Sequence, residues 1–334
     1  MLYLIIAIAA VLLIICTIAL GTHVFFTNVI LSDNFHRGKK VKSAWEEDEE
    51  HPEEVAINPV CLAHMDELLK ARLWIKSRSP KDYTVTSYDG LRLAAKFVSP
   101  DDMKGIVLLM HGFRSSALHD FSLAVKEYFD LGFACMMPYQ RAHGDSEGKY
   151  IYFGARERYD VVSWCELIEK EFPGVPVILD GMSMGASTVL MASGLDLPSC
   201  VKGIVADCGF TDAESIFRHL MKAKLNMPPF PFLYTTALYA KIRARFSMRR
   251  PSTLEELKKN RLPILFAHGK GDTIVPYEMS VENYNAAREV CDATLFSVDK
   301  ADHGMSYFTD RENYLAQVKK LIEKCTGDGT DRNV

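Results

Sequence analysis

Residues Val177 to Ser187 read Val-Ile-Leu-Asp-Gly-Met-Ser-Met-Gly-Ala-Ser, a short apolar run that passes into a helical pattern through a serine with a glycine two residues away on each side. A strand can close directly onto a helix around Ser183 only if the serine accepts a strained backbone conformation and its neighbours carry no bulk, and Gly181 and Gly185 supply that room. Such a G-x-S-x-G turn lifts the serine oxygen to the carboxyl end of a sheet. It also aims the first amides of the next helix at the point where an oxyanion would form. The pentapeptide alone recurs in ordinary loops, so its flanks decide its meaning.

If Ser183 is a nucleophile, an acid and then a histidine should follow it, each in a loop just after a later strand. The strand-like Pro263–Ala267 runs into His268-Gly269-Lys270-Gly271-Asp272, and the strand-like Thr294–Val298 into Asp299-Lys300-Ala301-Asp302-His303. Asp272 and His303 are therefore the candidate acid and base. Asp207, at the end of another strand, is a second candidate for the acid. Asp302 is adjacent to His303, where side chains diverge, and reads as a loop carboxylate. Asp180, just before the elbow, is expected to bond neighbouring loop amides or to shape the pocket.

With these residues the chain resembles membrane-anchored bacterial hydrolases of the alpha/beta-hydrolase superfamily, near its serine aminopeptidase-like and eukaryotic alpha/beta-hydrolase-domain groups. The resemblance covers roughly residues 80 to 325. It implies an oxyanion hole made by the amides of Met184 and of Phe113, which follows the strand-like Gly105–Met110 and His111-Gly112. It also matches Pro138–Gly148 to the superfamily's D-x-R-G-H-G-x-S-x-G segment, from which Tyr139 and Ala142 depart; that segment is structural support in the family. Hydrolysis would run through an acyl-enzyme on Ser183 with His303 as base and Asp272 as its partner.

The rest of the pattern agrees. Strand-like segments at 81–87 and 91–98, joined around Asp89-Gly90, predict an antiparallel pair. Strands at 105–110, 133–137, 175–180 and 201–206 then alternate with helical patterns near 118–131, 156–171 and 184–194. That alternation predicts an α/β fold, a mostly parallel eight-stranded sheet with helices on both faces. The chain between Asp207 and Pro263 exceeds a single crossover and is expected to form a helical cap near 212–260. Within it Pro228–Tyr234 is too rich in proline for a helix, and it either walls an apolar pocket or fills space beneath the cap. Ile216 to Leu254 carries eight basic residues and no Asp or Glu, which reads as a solvated face or as a surface for anionic headgroups or substrate.

Leu2 to Leu20 is uninterrupted by charge, and the apolar pattern continues toward Leu31, enough to span a bilayer. No Lys or Arg precedes it, which argues for a retained anchor at residues 1–31 over a signal peptide cleaved near Gly21. Arg37, Lys39, Lys40 and Lys42 follow the span, so the positive-inside rule leaves the enzyme facing the cytoplasm. A polar juxtamembrane linker (32–54) with the acidic run Glu46–Glu50 comes next. An amphipathic helical segment (55–80) carrying Leu62, Met65, Leu68, Leu69, Leu73 and Trp74 leads into the hydrolase domain (81–325), and 326–334 reads as a disordered tail.

The net charge of -4 argues against nucleic acid as partner. Eight scattered cysteines with no C-x-x-C pair read as free thiols, and neither a metal nor a cofactor is expected. Among functions, a carboxylic ester or thioester hydrolase acting on a small acyl substrate stands first. The alternatives are a peptidase acting on short peptides, which would need a carboxylate to hold a free terminus, and a membrane interaction protein without turnover.

Overall fold

The computed structural model describes residues 1–32 and 59–327; the expected linker beyond Ser32, with its basic and acidic runs, and the tail beyond Gly327 lie outside them. Strands β1 (Lys81–Thr86), β2 (Arg92–Val98), β3 (Gly105–Met110), β4 (Phe133–Pro138), β5 (Val177–Met182), β6 (Val201–Asp207), β7 (Ile264–Gly269) and β8 (Ala293–Val298) form one sheet in the order β1-β2-β4-β3-β5-β6-β7-β8. β2 runs antiparallel to both neighbours, and every pairing from β4 to β8 is parallel. The hairpin between β1 and β2 turns through Gly90 at a φ of 87°.

β3 shows why the central strands are unbroken apolar runs. All six of its residues are buried, with Ile106, Leu108 and Met110 on one face and Val107 and Leu109 on the other. Helices cover both faces. Trp164 and Ile168 of the helix Glu157–Glu171 and Val189 and Leu190 of Met184–Ala192 pack on the first face. On the second lie Val125 and Tyr128 of Ser122–Asp130, Val318 and Ile322 of Arg311–Thr326, and Leu68 and Ile75 of Met65–Ser77. This last helix is separate from a short one at Pro59–Ala63, and it buries Leu68, Ala71, Arg72 and Ile75, whereas Leu62 and Leu73 are exposed. Trp74 packs edge-on against Phe129, 5.0 Å between centroids, a packing role.

Between β6 and β7 two helices stand over the carboxyl end of the sheet, Ala213–Ala223 and Phe232–Arg243, followed by the short Thr253–Leu257. The Asp212 side chain caps the first, accepting the Ser215 N–H at 2.9 Å. The proline-rich run stays non-helical to Pro231, but the second helix starts at Phe232, because prolines that cannot sit inside a helix can stand at its start. The N-terminal helix Leu2–Val29 is long and apolar enough to cross a membrane, and Leu2 to Thr17 are exposed along its length. Its last turns are built into the cap instead. Phe26, Ile30 and Leu31 are buried with Ile151, Phe217 and Leu233, Thr22 Oγ1 lies 2.6 Å from Thr235 Oγ1, and the Ile151 N–H donates to the Ile30 carbonyl at 2.8 Å.

Candidate active site

Ser183 sits between β5 and its helix with a φ of 54°, a left-handed conformation that L side chains adopt only under constraint. Contact distances show why the flanking glycines are needed. A Cβ on Gly185 would stand 1.8 Å from the Met110 carbonyl oxygen, and one on Gly181 would stand 2.4 Å from the Gly185 backbone. β5 extends through Gly181 and Met182, past the expected end at residue 180, because the strand itself delivers the turn.

The loops after β7 and β8 bring Asp272 and His303 to this serine. Ser183 Oγ lies 2.9 Å from His303 Nε2, and His303 Nδ1 lies 2.8 Å from Asp272 Oδ2. An ionised carboxylate only accepts, so Nδ1 carries the hydrogen and Nε2 is left to accept from the serine hydroxyl. Asp272 Oδ1 also accepts the N–H groups of Ile274 and Val275, both at 2.8 Å. Burial pushes the Asp272 carboxyl up, but hydrogen bonds from His268 and His303 and their charge outweigh it and hold the group well below the usual carboxylate range. Burial pushes His303 down, yet its hydrogen bond and charge interaction with Asp272 leave it above the ordinary histidine value.

His303 bonds to Asp272, and no hydrogen bond joins it to Asp207. Asp207 is enclosed behind the elbow, where burial raises its carboxyl to about 6. Asp302 is the loop carboxylate its position suggested. It accepts the N–H groups of His303 and Thr273 at 2.8 and 2.9 Å and so ties the acid loop to the histidine loop. Asp180 bonds neither loop amides nor the pocket: it accepts the Tyr128 hydroxyl at 2.7 Å inside the core, where burial lifts it to about 7.

At the end of β3, Gly112 donates its N–H to Asp120 at 2.7 Å and Arg114 donates to the His143 ring at 3.1 Å. Between them the Phe113 amide, like that of Met184 at the start of the elbow helix, bonds no protein acceptor among the described residues. The Gly112 position is close enough that a Cβ there would lie 3.6 Å from Ser183 Cβ. Two uncommitted donors beside a nucleophile are what an oxyanion hole requires.

Several supporting residues carried no readable signal in the sequence. His268, at the end of β7, lies 3.0 Å from Asp272 Oδ2 and 3.1 Å from the Val275 carbonyl through Nε2, which must therefore carry hydrogen. Its Nδ1 then accepts from Ser280, 2.6 Å away. Its place four residues before Asp272 was the one available hint. Asp120, which fixes Gly112 and Ser115, lies in a helix and is visible only in three dimensions. In the segment following β4, Arg141 is clamped between Asp160 and Asp89, and Ala142 takes a φ of 66°, a conformation that glycine adopts more readily. Cys208, Asp272 and His303 offer ligand atoms within 4.8 Å of one another. Both His303 nitrogens are already engaged, and burial pushes the Cys208 thiol well up, so the set is poorly suited to a metal.

Ser183 opens onto a cavity of about 340 Å³ whose walls include Phe25, Val29, Phe153, Phe217, Met221 and Leu225. Its lining is apolar apart from Ser183 and Lys224. Across Phe113 lies a second, more polar cavity of about 490 Å³, reached by Arg72, Arg114, His119 and Asp120.

Residues 101–259 match the family model described as serine aminopeptidase, S33. The uncharacterized protein YqkD of Bacillus subtilis (strain 168) is 25% identical over 242 residues, covering 72% of this chain and 78% of that one. Among solved structures, the Pyrococcus furiosus esterase Pf2001 superposes with a TM-score of 0.63 at 21% identity, covering 86% of this chain and 99% of that chain. The Pyrococcus horikoshii acylaminoacyl peptidase superposes with a TM-score of 0.56 at 15% identity, covering 76% of this chain and 43% of that chain.

Proposed function

We propose that this chain, a member of the alpha/beta-hydrolase superfamily, works as a serine hydrolase that cleaves carboxylic esters or thioesters through an acyl-enzyme on Ser183. The observation that carries this reading is the hydrogen-bonded line from Ser183 through His303 to Asp272, opening onto an apolar cavity. His303 Nε2 takes the serine proton as Oγ attacks the substrate carbonyl, and Asp272 balances the imidazolium that results. The amides of Phe113 and Met184 hold the oxyanion; losing one such donor costs about 3 kcal/mol of transition-state stabilisation. Collapse expels the alcohol or thiol, which leaves with the proton from His303. Water, deprotonated by the same nitrogen, then releases the acid and restores the serine.

A peptidase is the second reading, favoured by the description of the matched family and by the likeness to an acylaminoacyl peptidase. Against it stands the lining of the Ser183 cavity, where among the described residues the charged group is Lys224 and no carboxylate is present to hold a free amino terminus. Comparison of p-nitrophenyl esters with aminoacyl anilides separates the two: the esters should show the larger kcat/KM, and preference for the anilides would transfer the assignment to the peptidase. We further assign the N-terminal helix as a retained single-pass anchor, with the catalytic domain on the cytoplasmic side. Its length and hydropathy and the following Arg37, Lys39, Lys40 and Lys42 support this.

A further inference from the structure

The N-terminal helix does more than reach the catalytic domain. Phe25 and Val29, from its last turns, line the same cavity as Ser183. A run of ring contacts leads from the helix to Phe113 in the loop after β3: Phe25 stands edge-on to Phe217 at 5.5 Å, Phe217 edge-on to Phe153 at 4.8 Å, and Phe153 stacks on Phe113 at 5.3 Å. One wall of the cavity is therefore continuous with a helix apolar enough to cross a bilayer.

The cap extends that surface. Its second helix, Phe232–Arg243, packs along the same stretch, with the Phe232 ring seated where a Cβ on Gly21 would stand 2.4 Å away and Tyr239 edge-on to Phe26 at 4.8 Å. Leu238 and Ile242 of this helix, 59% and 68% exposed, share an apolar groove of about 530 Å³ with Ile15, Ile18 and Ala19. In the loop joining the cap helices, Leu225 lines the Ser183 cavity while remaining 55% exposed, and Phe230 is 73% exposed. Exposed large apolar groups thus run from the mouth of the cavity toward residues at the depth of Ile15, in a molecule that would gain by covering them. Around them Lys222, Lys224, Lys241, Arg243 and Arg245 are exposed, a charge pattern that complements anionic headgroups. Other bases of the cap are spent within the protein, Arg218 and Arg249 on Glu214 and Arg250 on Glu255.

We propose that the N-terminal helix and the cap seat the mouth of the Ser183 cavity in the bilayer surface, and that the substrate is an ester of a long-chain acid resident in the bilayer. Its acyl chain passes from the lipid past Leu225 into the cavity, where Phe25 and Val29 form part of the acyl-binding wall. This rests on the serine hydrolase reading, and it makes the anchor a part of the substrate site.

The test uses the full chain in phosphatidylcholine and phosphatidylglycerol vesicles. Phe25→Trp and Val29→Phe, which narrow the cavity, should lower the ratio of kcat/KM for p-nitrophenyl dodecanoate over acetate by at least about tenfold. Leu13→Trp, on the exposed length of the helix, should leave that ratio within about twofold. An unchanged ratio in both cavity variants overturns the proposal while leaving the serine hydrolase reading intact; absence of turnover on either ester in the wild type strikes at that reading instead. An activity-independent measurement completes the test: vesicles containing a phosphatidylcholine with a diazirine in its acyl chain are irradiated with the wild-type chain. Adducts on peptides holding Phe25, Phe217 or Leu225 are expected, and adducts confined to Leu2–Leu20 would contradict the proposal.

Discussion

Asp272 and Asp207 are both carboxylates at the ends of parallel strands, and what separates them is the company each keeps. Asp272 accepts four hydrogen bonds, one of them from His303, and Asp207 accepts none from that histidine. Asp272→Asn should therefore lower kcat by about 10³- to 10⁴-fold. Asp207→Asn should change it by less than about tenfold, and equal losses in steady-state kinetics would unseat the assignment of the acid. The same contact sets the pH dependence. His303 works as a base only when neutral, and its value in the folded chain is raised, so the acid limb of kcat/KM should have its midpoint above about 6.5. Removing the Asp272 charge should move that midpoint down; a wild-type midpoint below about 6 would show that His303 is not held as described. At this scale the sequence was legible where spacing and order carry meaning, as for Ser183, Asp272 and His303. It was silent on His268, Asp120 and Phe25, whose roles come from side chains that meet only after folding.

The turn between β5 and its helix is the element on which the site depends, and its tolerance is set by backbone contact. Gly185→Ala would drive a Cβ into the Met110 carbonyl, which belongs to a buried central strand and has nowhere to move. We expect a loss of about 3 kcal/mol or more, read as a lowered thermal midpoint, together with loss of the proposed hydrolytic activity. An alanine variant of wild-type stability would mean that β3 and the elbow helix are less closely packed. Strands and their mostly parallel arrangement were readable because burial on both faces turns a central strand into a continuous apolar run and βα alternation fixes parallel pairing. Cap elements were harder. The prolines broke the helical pattern, yet a helix starts at Phe232; before the sheet, Leu73 points outward because Leu68, Ala71 and Ile75 turn its helix toward the sheet, and Leu62 belongs to a separate short helix.

Across the whole molecule, the end of the N-terminal helix shares one apolar cluster with the cap, the elbow helix and loops at the carboxyl end of the sheet, which supports the proposal that the helix is retained. Intact mass measurement of the membrane-extracted chain should find the N-terminal segment present, and a fluorescent protein fused after Val334 should be bright in the cytoplasm. Cleavage near Gly21 would remove the partner of Phe232 and contradict that arrangement. The apolar span was plain in the sequence, but its entry into the active-site wall was not, because an apolar residue facing lipid and one facing a substrate cavity are chemically alike. The most direct test of the nucleophile is labelling of the full-length chain with a fluorophosphonate probe, followed by peptide mass spectrometry. A single adduct on Ser183, lost in Ser183→Ala, is expected; a folded wild-type chain that takes no label, or a Ser183→Ala chain that still does, would contradict the assignment of Ser183 as nucleophile.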